Sequence, residues 1–147
     1  GIVEKIGWRL TIVRTFSKNV LYIPNTAFSS IIVENATRMS NRRINETIGI
    51  RYDDLDKMSY IIDDVNKSLS QNTDIDQTQK AKVYFKSFSA SSCDFFIYAF
   101  TITKDWEEFL KIKQSVLLSV AEIISKHKAE IAFPTSTVYL KNNATKQ

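Results

Sequence analysis

The stretch Val3–Phe28, VEKIGWRLTIVRTFSKNVLYIPNTAF, decides how the chain is read. In its first half Ile6, Trp8, Leu10 and Ile12 fall on one parity, and Lys5, Gly7, Arg9 and Thr11 on the other. Successive side chains of a strand point to opposite faces, so a period of two predicts a half-buried β-strand. Ser17-Lys18-Asn19 reads as a polar turn, where asparagine tolerates the left-handed backbone that such turns use. Val20–Ile23 is an apolar run that stops at Pro24-Asn25, because proline has no N–H to give a sheet ladder. The unit holds no histidine, no carboxylate pair and no nucleophile in a catalytic setting.

Working outward, Ala27–Ser30 predicts a short turn and Ile31–Glu34 a third strand of a small twisted sheet. Arg38-Met39-Ser40-Asn41-Arg42-Arg43 is polar, basic and without periodicity, which marks a boundary between two units. Beyond it the pattern alternates strands with helices. Asn45–Tyr52 predicts a strand, and Asp53 or Asp54 an N-cap for a helix with Leu55, Met58, Ile62, Val65 and Leu69 on one stripe. Ser70–Gln79 reads as a polar loop. Lys82–Phe88 and Asp94–Thr103 predict a hairpin across Ser89-Ala90-Ser91-Ser92. Asp105 starts a long helix, with Glu108 as the far half of a capping box. Its buried stripe is Phe109, Ile112, Val116, Leu117, Val120, Ile123 and Ile124, and Glu130–Phe133 predicts a closing strand. The order β-α-β-β-α-β is that of a ferredoxin-like unit. The expected division is therefore 1–40, 41–140 and a mobile tail over 141–147.

The 147 residues are 44% hydrophobic and 24% charged, a composition that supports a packed core. No apolar run approaches the roughly 20 residues that cross a bilayer. A net charge of +4 is too mild to argue for nucleic acid by itself. The single cysteine, Cys93, opens an apolar strand and reads as a buried thiol. His127, the one histidine, has no metal-ligating companion and reads as an exposed residue at a helix end. Asp53, Asp54, Asp56, Asp63 and Asp64 lack the glycine and spacing of a calcium loop, so capping and a solvated face account for them. Asp74 and Asp76 read as loop residues with local backbone bonds. With three glycines in the chain there is no phosphate-binding loop, and no serine has a histidine and acid in a recognisable context. No catalytic, metal or cofactor site is expected.

The ordered motifs resemble the cytoplasmic region of the small-conductance mechanosensitive channel (MscS) family. They are Val3-Glu4, Ile6-Gly7-Trp8-Arg9 and Thr11, then Arg14-Thr15-Phe16 and Ile23-Pro24-Asn25. Val33-Glu34-Asn35, Arg38, Arg42-Arg43 and Ile48-Gly49-Ile50-Arg51-Tyr52 continue the series, which Ala132-Phe133-Pro134-Thr135 and Thr137-Val138-Tyr139-Leu140 close. The turn holds Lys18-Asn19 where the family has Asp-Gly. The resemblance implies an α+β chain, with a small Sm-like β domain, N-terminally truncated, ahead of the ferredoxin-like domain. It implies a homo-oligomer, heptameric in the family, that forms a vestibule passing ions and small solutes under a pore in the cell inner membrane. This segment is expected on the cytoplasmic side, with its membrane helices upstream and an open sheet edge where the first strand is missing.

Two residue sets are candidate contacts between domains or subunits. Arg38, Arg42 and Arg43 sit at the boundary and present planar forks for carboxylates. In the strand after Ser92, Phe96, Tyr98, Phe100 and Ile102 share one parity while Phe95, Ile97 and Ala99 share the other. Two helices cover one face only, so the first row needs another cover. Stacked RNA bases on a stand-alone binding module are the alternative, as is a small regulator. The strands lack the aromatic signature of such RNA-binding sheets, and Asp94 and Asp105 would repel phosphate, so protein is expected and nucleic acid is not.

Overall fold

The computed structural model describes residues 1–32, 34–35 and 38–135. The chain divides into two compact units, Gly1–Arg38 and the residues from Met39 onward.

The first unit is an antiparallel sheet of β1 (Ile2–Ile6), β2 (Leu10–Arg14) and β3 (Val20–Pro24), in that spatial order. The single alternating strand expected over its first half is two strands, folded back at Gly7-Trp8-Arg9. Gly7 N–H donates to Leu10 O at 2.9 Å, and a side chain on Gly7 would come within 2.9 Å of that same carbonyl. Alternation alone is blind to such a turn; the glycine was its signal. The second turn spans Thr15–Asn19, and there Lys18, not Asn19, takes the left-handed conformation, with φ 67°. A short 3-10 helix, Asn25–Ser29, follows β3. Ile31, Ile32 and Glu34 are not in a strand, which corrects the expected Ile31–Glu34 element; Val33 lies outside the described residues.

The second unit is built on β4 (Arg42–Ile50), α1 (Met58–Gln71), β5 (Lys82–Phe88), β6 (Cys93–Thr101) and α2 (Trp106–Lys126). The sheet order is β4-β6-β5, all antiparallel, and Ile131 bridges Ile50 on the outer side of β4. That arrangement is ferredoxin-like, with the closing strand reduced to one bridge, made by the bonds from Ala132 N–H to Gly49 O and from Arg51 N–H to Glu130 O. The helices cover one face. Ile44, Ile50, Val83, Cys93, Phe95, Ile97 and Ala99 of the sheet pack with Met58, Ile61, Val65 and Leu69 of α1 and with Phe109, Ile112, Val116, Val120 and Ile124 of α2.

Several expected boundaries move. β4 begins at Arg42, so Arg42 and Arg43 are strand residues rather than linker. Asp53 and Asp54 do not cap α1: they sit in a 3-10 helix, Tyr52–Lys57, that leads into it. There Leu55 is exposed, and Ile61 occupies the buried position assigned to Ile62. The loop after α1 is not purely polar, because Ile75 is buried and bridges Thr101. At α2 the Asp105 carboxylate accepts from Glu108 N–H at 2.8 Å, while the Glu108 carboxylate binds Thr103 Oγ1. Thr103 Oγ1 in turn accepts from Asp105 N–H at 3.1 Å, so the capping box closes through an intermediary. The tail at 141–147 lies outside the described residues.

Candidate functional site

The second unit's free sheet face is generated by β6. Its residues alternate without exception: Cys93, Phe95, Ile97, Ala99 and Thr101 are buried under the helices, while Asp94, Phe96, Tyr98 and Phe100 are half-buried on the far side. Strand pairing sets their neighbours. Thr47 and Tyr84 flank Phe96, Asn45 and Lys82 flank Tyr98, and Arg43 lies opposite Phe100. The Tyr98 and Phe100 rings meet edge to face at 5.4 Å, and Tyr84 and Phe96 are tilted at 6.1 Å. The Arg43 guanidinium lies 5.6 Å from the Tyr98 ring, where its charge meets the negative ring face. Lys86 Nζ donates to Thr47 Oγ1 at 3.0 Å. Tyr98 and Phe100 also line a shallow hollow with Gln79, Lys80 and Lys82. Ile102, placed in this row from the sequence, lies past the end of β6; its N–H donates to Asp74 O.

Of the three arginines, Arg42 and Arg43 open β4 and, as strand neighbours, serve opposite faces. Arg42 Nε donates to Lys104 O at 2.7 Å, and its guanidinium lies 5.0 Å from the Trp106 ring and 5.9 Å from Phe109. Those contacts tie the start of β4 to the start of α2. The Asp105 carboxyl is held below the usual carboxylate range, chiefly by the Glu108 N–H, with Arg42 adding a smaller pull. Arg38 belongs to the first unit, where its N–H donates to Asn35 O at 3.2 Å and its side chain is exposed. Tyr84, Lys82 and Trp106 were missed from the sequence. The parity of Lys82, Tyr84 and Lys86 on β5 carried the first two; only the three-dimensional meeting of β4 with α2 reveals the third.

Two side-chain clamps lock the helical layer. The Asp54 carboxylate accepts from Lys57 Nζ at 2.6 Å and from Glu130 N–H at 2.9 Å, and Lys57 Nζ also reaches Lys128 O at 2.8 Å. The Lys57 bond, then the Glu130 N–H, hold Asp54 below the usual carboxylate range. Arg51 Nη1 adds a 2.6 Å bond to Glu130 Oε2. The second clamp corrects the expectation of an exposed His127 and a solvated Asp64. His127 is half-buried; its Nε2–H donates to Asp64 Oδ2 at 3.0 Å and its ring stacks on Tyr60 at 6.4 Å. His127 first, then Lys126, hold Asp64 below the usual range. Cys93 is fully buried, and burial pushes its thiol up. Among the described residues, no three His, Cys, Asp or Glu side chains are placed to hold a metal ion.

In the first unit the corresponding organiser is Asn25. Its N–H donates to Arg9 O at 2.9 Å, its Nδ2 donates to Gly7 O at 2.8 Å, and its Oδ1 accepts from Thr11 Oγ1 at 2.8 Å. Thr11 is the one buried residue among the described residues of this unit.

The fold defines the class first: a small antiparallel β unit in series with a ferredoxin-like α+β unit. The family model for the mechanosensitive ion channel beta-domain matches residues 1–38, and that for the MscS C-terminal domain matches residues 44–131. The chain belongs to the MscS family of mechanosensitive ion channels. It is 46% identical over 142 residues to the low conductance mechanosensitive channel YnaI of Escherichia coli K12, covering 97% of this chain and 41% of that protein. The cryo-EM structure of Arabidopsis thaliana MSL1 superimposes with a TM-score of 0.85 at 27% identity, over 90% of this chain and 48% of that one. The closed-state crystal structure of Helicobacter pylori MscS shares the fold, with a TM-score of 0.76 at 20% identity, over 96% and 54% of the two chains. No described helix is long and apolar enough to cross a membrane.

Proposed function

We propose that this chain is the cytoplasmic part of a mechanosensitive channel subunit, acting by assembly and filtering rather than by catalysis. In this reading a ring of subunits, seven as in the family, encloses a vestibule whose openings pass ions and small solutes to a pore in the cell inner membrane. Upstream helices of the same subunit sense membrane tension. The observation that carries the reading is the first unit's burial pattern. A three-stranded sheet that buries only Thr11 and leaves Ile2, Val3, Ile6, Val20, Leu21 and Tyr22 exposed is a component awaiting neighbours. The aromatic face of the second unit supports a further contact, with Arg43, Phe96, Tyr98 and Phe100 meeting an adjacent subunit. Arg42 positions that strand, and Arg38 lies where the chain passes between units. No cofactor, metal or nucleic acid is required.

The test is patch-clamp recording from cells that lack their own mechanosensitive channels and express the full-length subunit containing this chain. Stepwise currents that appear with suction support the proposal; a correctly inserted protein that stays silent up to membrane rupture refutes it.

A further inference from the structure

From the free sheet face of the second unit we infer a head-to-tail contact, in which this face meets the acidic start of α1 on a second copy of the chain. This deepens the proposed assembly and rests on it. The face carries Arg43 from β4 with Lys82 and Lys86 from β5, and Lys80 lines the hollow beside Tyr98 and Phe100. None of these four cations forms an ion pair among the described residues. Acids stand at the two ends of the row: Asp94 accepts from the Ser89 and Ser92 hydroxyls, and Asp76 from Asn41 and Thr78. An aromatic row flanked by unpaired cations suits a partner surface that combines apolar side chains with free carboxylates.

The same chain supplies that complement. From Tyr52 to Asn66 it has five aspartates and a single basic residue, Lys57. Lys57 is bonded to Asp54, and Asp64 to Lys126 and His127, which leaves Asp53, Asp56 and Asp63 exposed. Of these only Asp53 has a cation nearby, Arg51 at 3.6 Å. Tyr60, 65% exposed, and Leu55, 41% exposed, stand among them. α1 buries Met58, Ile61, Val65 and Leu69 against the sheet, so Tyr60 and Asp63 lie on its outward side, with Lys67 one turn further along. The basic aromatic face and this acidic surface therefore belong to opposite layers of one unit. Pairing like faces would set cations against cations, whereas unlike faces set lysine against aspartate and Tyr60 and Leu55 against the aromatic row. A contact between unlike faces is heterologous, and where its rotation closes it makes a ring. An RNA strand would also answer the cations, but the acids at both ends of the row and the complement within the chain favour a second copy.

The test uses the full-length subunit in detergent with a carbodiimide, which joins a lysine amine to a carboxylate only where the two are in contact. Heavy- and light-nitrogen subunits are assembled together, so a mixed-isotope peptide pair identifies a link between copies. The expected links run from Lys80 or Lys82 of one copy to Asp56 or Asp63 of the next. Lys80→Glu with Lys82→Glu, and separately Asp56→Lys with Asp63→Lys, should each raise roughly ten-fold the concentration at which rings dissociate on dilution. All four replacements together should restore the original value, a rescue that a merely structural role would not give. Thermal unfolding confirms that each variant folds. A ring without these links overturns the inference, as does dissociation that neither pair alters or that the four together fail to restore. Polyuridylate binding that Lys80→Glu with Lys82→Glu abolishes gives the face to RNA and overturns it too. Conducting rings that lack the links sink this inference alone, whereas a subunit that forms no ring and is silent under suction takes the channel reading with it.

Discussion

Asn25 commits its N–H, its carboxamide N–H and its carboxamide oxygen to the Gly7–Thr11 segment, in a sheet that otherwise buries almost nothing. In most sheets a hydrophobic face sets the register of the strands; in this one a polar staple contributes much of that control. Replacing Asn25 by alanine leaves the Thr11 hydroxyl and the Gly7 carbonyl without these partners, at a cost of about 1–3 kcal/mol. Amide hydrogen exchange should accelerate in β1 and β2 while the second unit is unchanged; equal protection in the variant would show that the staple is dispensable. Gly49 carries a different kind of constraint. A Cβ there would lie 2.7 Å from both Asp94 Oδ1 and Ser92 Cβ, in the space the hairpin needs for its Ser89–Asp94–Ser92 bonds.

At the scale of elements, the closing segment is held by the Asp54 clamp as well as by its one bridge to β4. The sign of its pH dependence follows from the direction of the shift. Asp54 titrates lower in the folded protein than in the unfolded chain, so its contribution is complete above the ordinary aspartate value of about 3.9. That contribution is lost as pH falls through the depressed folded value. Asp94, held down by Ser89 and then by Ser92, acts in the same direction. Chemical denaturation between pH 3 and pH 7 should show stability falling on the acid side. Asp54→Asn should flatten that limb and lower stability at neutral pH by about 1–3 kcal/mol; an unaltered limb would assign the acid sensitivity elsewhere. The long elements were legible in the sequence because one periodicity dominated each: β5 stands where the pattern put it, as does the β6 alternation up to Thr101, and Phe109, Ile112, Val116, Val120 and Ile124 of the α2 stripe are buried while Leu117 and Ile123 are half-buried at its margin. Misreadings arose where one residue carried the information. Gly7 broke what looked like one strand, and the strand pairing of Arg42 and Arg43 was masked by their polarity. The pairing of Asp64 with His127 spans 63 positions and no local pattern encodes it. For the same reason the aromatic row was visible as a parity, whereas its flanking Tyr84, Lys82 and Arg43 required the register.

At the scale of the whole molecule, the two units solve the burial problem differently. The second has its own core, so its exposed features are free to serve contacts. In the proposed assembly, replacing both Phe96 and Phe100 with serine in the full-length subunit is therefore expected to weaken the ring more than it weakens folding of the ferredoxin-like unit. Size-exclusion chromatography in detergent reads the first effect and thermal unfolding of the 147-residue chain the second; a variant ring as robust as the original would remove this face from the assembly. The single bridge between Ile50 and Ile131 also has a mechanical consequence. A load applied to the chain beyond Thr135 reaches the unit through the bond from Ala132 N–H to Gly49 O, then through Glu130, whose N–H binds Asp54 and whose carbonyl accepts from Arg51 N–H. A pull that lifts the segment away from β4 meets these bonds one after another rather than together, so the segment peels like a seam. The first tug is absorbed there, and α2 and the sheet behind it are spared until the seam has opened.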